Sequence, residues 1–400
     1  MITPKTFINK LRDVSKEDVK SGILFLRALP VAKKYKKKHR DLWLICEDPL
    51  EARDNGYWLY RHIVMNHPEQ EVIYAIDRRS PDFGKVRGLG KIVKYGSFKH
   101  WVYYLAASRN VSSQKGGKPN AAVCYLLEVG GILKNKRIFL QHGITKDDAK
   151  WLYYDQTKFS MFVCGAYPEY EFIKERFGYP EDAVQYLGFT RFDALHEDIR
   201  DKKLVVIMPT QRSWFRQKSL NEGGKLEDIG ASEYCSRWNS FINSPRLGEI
   251  LEKYDLHAIF YLHRNMQQFV EHFHTGLDRV KIGKPQDYDV QMLLRKGALL
   301  ITDFSSVFFD FIYMKKPVLF YQFDEEEYRR RQYQEGYFDY RDNPFSIRKL
   351  QEEEVMDSLE EYAGRDFNVT EEFLKGHADY FRLFDAENCE RTYQAIKNMK

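Results

Sequence analysis

From residue 42 onward, short apolar runs alternate with longer stretches whose apolar positions recur every three or four residues. Leu42–Cys46, Glu71–Ile76, Lys91–Tyr95, Ala122–Leu126, Arg137–Gln141, Met161–Cys164 and Val184–Leu187 read as strands. Between them, segments such as Asn55–Met65 and Tyr167–Phe177 carry helical spacing. A polar stretch, His196–Lys203, precedes a second series with strands at Leu204–Met208, His257–Leu262, Val280–Ile282, Ala298–Thr302 and Val318–Tyr321. Strands alternating with helices predict an α/β protein with parallel sheets covered on both faces. Two such series predict two doubly wound, Rossmann-like domains facing a cleft, residues 41–197 and 198–400. Ligands of such sheets bind beyond the carboxyl ends of the strands, so the chemistry is expected just after strands.

Residues 1–40 form a third segment. Val19, Ile23, Leu26 and Leu29 recur at helical spacing, with Leu24 and Phe25 widening the stripe; Lys33, Lys34, Lys36, Lys37, Lys38 and Arg40 follow. These forty residues hold twelve Lys/Arg and three Asp/Glu, a net of +9; against a total of +5 the remainder carries −4. The basic character therefore belongs to the tail, which argues against a nucleic-acid groove in the folded body. A basic amphipathic segment suits an anionic membrane surface. A helix packed on the body with a solvated charge run after it fits the same residues. No apolar run approaches the roughly 18 residues that span a bilayer, and Arg27 interrupts Gly22–Val31. The five cysteines, Cys46, Cys124, Cys164, Cys235 and Cys389, are scattered without a C-x-x-C pair. They read as core thiols of a reducing compartment, with no disulfide framework or zinc site.

Chemistry-bearing residues fall at the expected strand ends. Ala298–Thr302 runs into Asp303-Phe-Ser305-Ser306, followed at once by a helical pattern. There Ser305 or Ser306 can cap the helix, whose first turn presents free N–H groups to a phosphate; Lys315 and Lys316 suit its end. Arg137–Gln141 ends in His142-Gly143, a histidine able to accept a proton near neutral pH beside a glycine that lets the chain turn. His263 follows His257–Leu262, and Pro209-Thr210-Gln211-Arg212 follows Leu204–Met208. An arginine and a histidine aimed at one cleft can neutralise a diphosphate without a metal. Gly188-Phe-Thr-Arg191-Phe-Asp193 lies near the domain junction, where Arg191 and Asp193 can pair with each other. Asp324, after Val318–Tyr321, can hold a ribose or cap a helix. No G-x-x-x-x-G-K-[ST], G-x-G-x-x-G or H-E-x-x-H occurs, against a P-loop enzyme, a dinucleotide dehydrogenase and a zincin.

At these residues the chain resembles the CDP-glycerol glycerophosphotransferases, the teichoic-acid primases and polymerases. The resemblance rests on Leu300-Ile-Thr-Asp-Phe-Ser-Ser-Val-Phe-Phe-Asp-Phe, Lys316-Pro317 and Phe320-Tyr-Gln-Phe-Asp324. His142-Gly143, Pro209-Thr210-Gln-Arg212, Gly188-x-x-Arg191-x-Asp193, Asp54-Asn55-Gly56 and Asn388-Cys389-Glu390-Arg391 follow the family's order. It implies a GT-B architecture, an acceptor domain before a CDP-alditol donor domain, with the last helix packing back on the first. It implies transfer of glycerol phosphate from CDP-glycerol, or ribitol phosphate from CDP-ribitol, to a hydroxyl of a lipid-linked or glycan acceptor. CMP leaves, and the enzyme sits peripherally at the cytoplasmic face of the membrane. His142 becomes the base; His263, Arg212, Ser305 and Ser306 become diphosphate contacts, with Asp303 in support. Gly143, Thr210, Arg191, Asp193, Asp324, Asp54 and Asn55 complete the cleft candidates; no metal or cofactor is implied. The family's W-H-G-T-P-x-K reads Gln141-His142-Gly143-Ile144-Thr145-Lys146-Asp147 here, which leaves the acceptor open. A GT-B sugar transferase using a nucleotide sugar is the alternative.

Overall fold

The computed structural model describes residues 15–129, 131–133, 135–215 and 227–399, so the first 14 residues of the basic segment lie outside the described residues. Two compact units divide the chain. The first comprises the chain to Ile144, Lys150–Ala194 and the C-terminal stretch from Leu383; the second comprises Thr145–Ala149 and Leu195–Arg382.

In the first unit, helix α1 (Lys16–Lys38) precedes strand β1 (Trp43–Cys46), α2 (Asn55–Asn66), β2 (Val72–Ile76), β3 (Ile92–Lys94), α3 (Phe98–Ala106) and β4 (Arg109–Ser112). Strand β5 (Lys136–Phe139), β6 (Met161–Cys164), α4 (Tyr167–Arg176) and β7 (Val184–Tyr186) complete a seven-stranded sheet of order β3-β2-β1-β4-β5-β6-β7. Every pairing is parallel, and the strand order reverses between β1 and β4. Strand β4 was not legible in sequence: Arg-Asn-Val-Ser offers one apolar residue, and of the buried Asn110 amide Nδ2 donates to the Tyr104 carbonyl at 3.2 Å while Oδ1 has no hydrogen-bond partner. The strand expected at Ala122–Leu126 is instead a helix, Ala121–Val129. Asn120 accepts from the Val123 N–H at 2.8 Å and so caps it. Of its side chains Cys124 is fully buried while Ala121 and Ala122 are exposed, a one-sided burial that a central parallel strand does not show.

Helix α1 starts at a capping box between Ser15 and Asp18. Ser21, Phe25, Ala28 and Ala32 are buried against α3, with Trp101 Nε1 donating to Ser21 Oγ at 3.1 Å and stacking edge-on with Phe25 at 5.5 Å. At about 100° per residue, Val19, Ile23 and Leu26 fall on the opposite side, and they are 57%, 53% and 63% exposed. One face of α1 thus packs on the body while most of the expected apolar stripe faces solvent; Phe25 is buried, and Leu24 packs half-buried against the same core cluster. The last helix, α12 (Asn388–Asn398), packs in this unit, with Tyr393 and Ile396 in one core cluster with Trp43, Leu59 and Ile63.

The second unit holds β8 (Leu204–Ile207), β9 (His257–Tyr261), β10 (Val280–Gly283), α7 (Val290–Lys296), β11 (Leu299–Thr302), α8 (Phe308–Tyr313), β12 (Val318–Phe320) and α9 (Glu325–Arg331). Two helices, α5 (Glu233–Ile242) and α6 (Pro245–Lys253), separate β8 from β9, and α10 (Glu352–Gly364) and α11 (Glu371–Tyr380) follow α9. Its five strands are parallel in the order β10-β9-β8-β11-β12, with the reversal between β8 and β11. All five cysteines are free and buried, and among the described residues no helix is long and apolar enough to cross a membrane.

Candidate active site

A doubly wound sheet opens a crevice where its strand order reverses. In the second unit that point lies between β8 and β11, and two candidate segments leave the sheet there. Asp303, fully buried just past β11, accepts at Oδ1 from the Thr210 and Phe304 N–H groups at 2.7 and 2.6 Å. Its other oxygen accepts from Arg212 Nη2 at 2.8 Å. Arg212 also grips Asp324 through Nε and Nη2 at 2.8 and 2.9 Å, and donates through Nη1 to the Thr210 carbonyl at 3.0 Å. Tyr234, Phe304 and Tyr328 present ring faces to the guanidinium at 4.8, 5.3 and 5.0 Å. Burial opposes that charge most strongly, yet Asp324 and Asp303 together outweigh it and raise the guanidinium pKa.

This geometry corrects the expectation for Arg212. Its side chain has no exposed surface and its donors are committed to two carboxylates, so it braces three strand ends instead of presenting a cation to a diphosphate. Asp324 is likewise held by Arg212 and forms no side-chain cap on α9. Ser305 and Ser306 do not cap a helix either: α8 begins at Phe308 behind Val307, with no side-chain cap. The serine carbonyls accept the Phe308 and Phe309 N–H groups in an intervening turn. Ser305 is buried, Ser306 half-buried. Thr210, 8% exposed, uses its backbone in this network while its hydroxyl has no hydrogen-bond partner.

His263, past β9, accepts the Asn265 N–H on Nδ1 at 3.2 Å, so a neutral ring carries its proton on Nε2, a donor. Asn265 in turn donates to Gln211 Oε1 at 2.7 Å, tying the ends of β9 and β8. Lys316 serves α7 instead of α8, donating to the carbonyls of Leu294 and Arg295 in its last turn. Burial, then Arg200, pulls its amine down to about 7.

In the first unit three motifs converge on Asn55, which is fully buried. Its Nδ2 donates to the Leu140 and Gln141 carbonyls at 3.2 and 2.8 Å, and its Oδ1 accepts from the Arg191 N–H at 3.1 Å. Thr190 Oγ1 donates to the Asn55 carbonyl at 2.6 Å. The sharp turn at His142 comes from Gln141, whose φ is +60°, and not from Gly143. Burial explains why a non-glycine holds this conformation: Gln141 Nε2 donates to the Val163 carbonyl at 2.7 Å and to Glu169 Oε1 at 2.9 Å. His142, next along the chain, is exposed.

Arg191 does not pair with Asp193. It reaches Asp54 at 3.2 Å and lies against Phe189 and Phe192. Asp193 accepts from Asn388 N, Asn388 Nδ2 and Cys389 N at 2.8, 2.7 and 2.8 Å, anchoring the start of α12. Gly188, at φ +75°, has no room for a side chain, since an added Cβ would lie 1.8 Å from Asn388 Oδ1. The Gly188–Asp193 and Asn388–Arg391 motifs are thus two halves of one clamp, completed by Arg391 Nε on the Leu187 carbonyl at 3.0 Å.

Residues 28–398 match the family described as CDP-Glycerol:Poly(glycerophosphate) glycerophosphotransferase. The chain belongs to this family. The minor teichoic acid biosynthesis protein GgaB of Bacillus subtilis (strain 168) is 28% identical over 367 residues, 89% of this chain and 40% of that protein. The teichoic acid poly(glycerol phosphate) polymerase of Bacillus spizizenii is 28% identical over 209 residues, 48% of this chain and 45% of its own length. The chain therefore spans less than half the length of these curated relatives. The wall teichoic acid polymerase TagF superposes with a TM-score of 0.63 at 16% identity, over 95% of this chain and 98% of that one. That likeness, with the two parallel sheets, makes this a GT-B-like fold.

Within this glycerophosphotransferase-family chain, Glu47 was missed in sequence. It follows β1 at the reversal point of the first sheet and is 1% exposed. Its Oε1 accepts from Tyr57 N and Ser113 Oγ at 2.8 and 3.2 Å; its Oε2 accepts from Arg53 N and Asp54 N at 3.2 and 3.3 Å. Burial, then the charge of Asp54, pushes this carboxyl up to about 8 against the pull of those amides. The available signal was its place after a strand, on the same footing as His142. Lys146 and Arg329 also escaped notice; both bind Asp147, Arg329 Nη1 at 2.7 Å.

Proposed function

We propose that the chain transfers glycerol phosphate, or a related alditol phosphate, from a CDP-linked donor to a hydroxyl of a lipid-linked or glycan acceptor. The product belongs to teichoic acid or a related surface polymer. The match of residues 28–398 to the glycerophosphotransferase family carries this reading; the names of GgaB and the poly(glycerol phosphate) polymerase support it, as does a TagF structure soaked with CDPG. The acceptor oxygen attacks the phosphorus nearer the glycerol, the bond from that phosphorus to the bridging oxygen breaks, and CMP departs with the electron pair. His142 takes the acceptor's proton. Its exposure and the left-handed turn at Gln141 suit a base that must meet an incoming hydroxyl.

His263 Nε2 and the Ser305 and Ser306 hydroxyls hold the diphosphate, and the Asp303–Arg212–Asp324 triad fixes the strand ends that carry them. Such a site works mainly by positioning and by stabilising charge. Helix α1 docks the enzyme on an anionic cytoplasmic membrane surface. The exposed Val19, Ile23 and Leu26 and the exposed lysines 33, 34, 36, 37 and 38 support that role. Nucleotide release discriminates this reading from the sugar-transferase alternative. The protein is expected to release CMP from CDP-glycerol or CDP-ribitol in the presence of a lipid-linked disaccharide; release of UDP from UDP-sugars, with none of CMP, overturns the proposal.

A further inference from the structure

Away from both sheet-reversal points, His62, His67 and Glu390 bring their ligand atoms within 4.8 Å of one another. His62 lies on α2, His67 follows its last turn, and Glu390 lies on α12. Both imidazole Nε2 atoms converge on one oxygen, Glu390 Oε2, at 2.8 and 2.7 Å. Two neutral imidazoles and a carboxylate are the donor set of many zinc sites. A tetrahedral zinc with bonds of about 2.0–2.2 Å spaces its ligand atoms about 3.4 Å apart, so Glu390 has to withdraw by about 0.6 Å. The Glu390 side chain is 42% exposed and the two histidine side chains 20% and 18%. The carboxylate is therefore able to shift, and its open side admits water as a fourth ligand.

Each of the three has an outer partner of the kind that orients a metal ligand. Glu390 Oε1 accepts from Gln394 Nε2 at 2.8 Å. His67 Nδ1 lies 3.5 Å from Glu69 Oε1, the carboxylate–imidazole pairing that leaves Nε2 for a metal, and its ring stacks on Tyr393 at 3.7 Å. His62 Nδ1 meets the Asn66 side-chain amide at 3.1 Å; turning that amide by half a rotation presents its oxygen to an Nδ1–H. We propose that His62, His67 and Glu390 form a Zn²⁺ site that staples the C-terminal helix to α2. The role is structural. Helix α2 leaves the carboxyl end of β1 at Asn55, and His67 stands about 18 Å further along its axis. The site is independent of the proposed transfer reaction.

The test uses the full chain, free of any affinity tag and stripped of metal, titrated with ZnCl₂ by calorimetry and melted with and without one equivalent of zinc. One zinc per chain is expected, with a zinc-dependent rise in Tm. Cobalt in its place is expected to show the visible absorption of a four-coordinate ion. The His62→Gln/His67→Gln variant should lose at least ~100-fold in affinity, and Glu69→Gln about 10-fold, in the range seen when outer partners are removed. Because the readout is the difference made by zinc, a variant that is less stable without metal still reports. Zinc uptake unchanged in the double variant, or absent from the wild type, overturns the site and leaves a histidine–carboxylate ion pair.

Discussion

Arg212→Ala is the substitution whose consequence the geometry fixes most tightly. In the wild type one guanidinium balances Asp303 and Asp324, with side-chain exposures of 0%, 0% and 3% across the three. Removing it leaves two enclosed carboxylates facing a cavity, with the Thr210 carbonyl also losing a donor. Breaking a buried pair by deleting one partner costs about 3–5 kcal/mol, and for a unit of roughly 150–250 residues each kcal/mol moves Tm by about 2–4 °C. The second unit should therefore melt some ~6–20 °C lower, measured by calorimetry. Replacing all three residues together by apolar ones of similar volume should cost much less than the single change. A stable Arg212→Ala protein, with a loss under ~1 kcal/mol, refutes the brace. It would mean that the guanidinium lies open to solvent, where it is free to contact a donor phosphate directly.

Gly188→Ala puts a Cβ against Asn388 at a φ of +75°, and should destabilise the first unit by roughly 1–3 kcal/mol, read by urea unfolding; Asn388→Ala should relieve part of that loss. Glu47 has a folded pKa raised from 4.5 to about 8, so its contribution is fully present below its unfolded value and disappears as pH rises through about 8. Wild-type stability should fall across that window, and Glu47→Gln, whatever its absolute stability, should lack that slope; equal slopes in both proteins reject the assignment. Converting Lys33, Lys34, Lys36, Lys37 and Lys38 to Gln should weaken sedimentation with anionic vesicles, and salt should weaken the wild type's binding, since the Debye length is ~8 Å at physiological ionic strength. Equal binding by both proteins, or none at low salt, leaves α1 as a packed helix only.

The alternation of apolar runs revealed eleven of the twelve strands described here, because parallel strands buried on both faces are short and nearly all apolar. It failed where chemistry and period diverge. Strand β4 carries a buried asparagine, Asn110, whose Nδ2 alone finds a partner, the Tyr104 carbonyl, and Ala121–Val129 is apolar but helical because Asn120 caps it. Residue type after a strand located His142, Asp303 and Arg212, but could not say which way each side chain is committed. Arg212 looked like an anion ligand because the carboxylates that claim it, 91 and 112 residues away, are invisible locally. Gly143 looked like the turn residue because glycine relieves strain anywhere, whereas Gln141 tolerates a φ of +60° only through its tertiary hydrogen bonds. Glu47 went unnoticed because a lone glutamate is unremarkable until its four donors are in view.

Transfer of an alditol phosphate with His142 as base is tested most directly by following nucleotide and lipid product together. Wild type and His142→Ala are to be incubated with CDP-glycerol and a lipid-linked disaccharide, with CMP followed over time and the lipid product weighed by mass spectrometry. The wild-type product is expected to be heavier than the acceptor by glycerol phosphate units, with one CMP released per unit. The folded His142→Ala protein is expected to be at least ~100-fold slower and still to bind CDP-glycerol. An unchanged lipid mass with the wild type, under both CDP-glycerol and CDP-ribitol, or near-normal turnover by the variant, contradicts that mechanism.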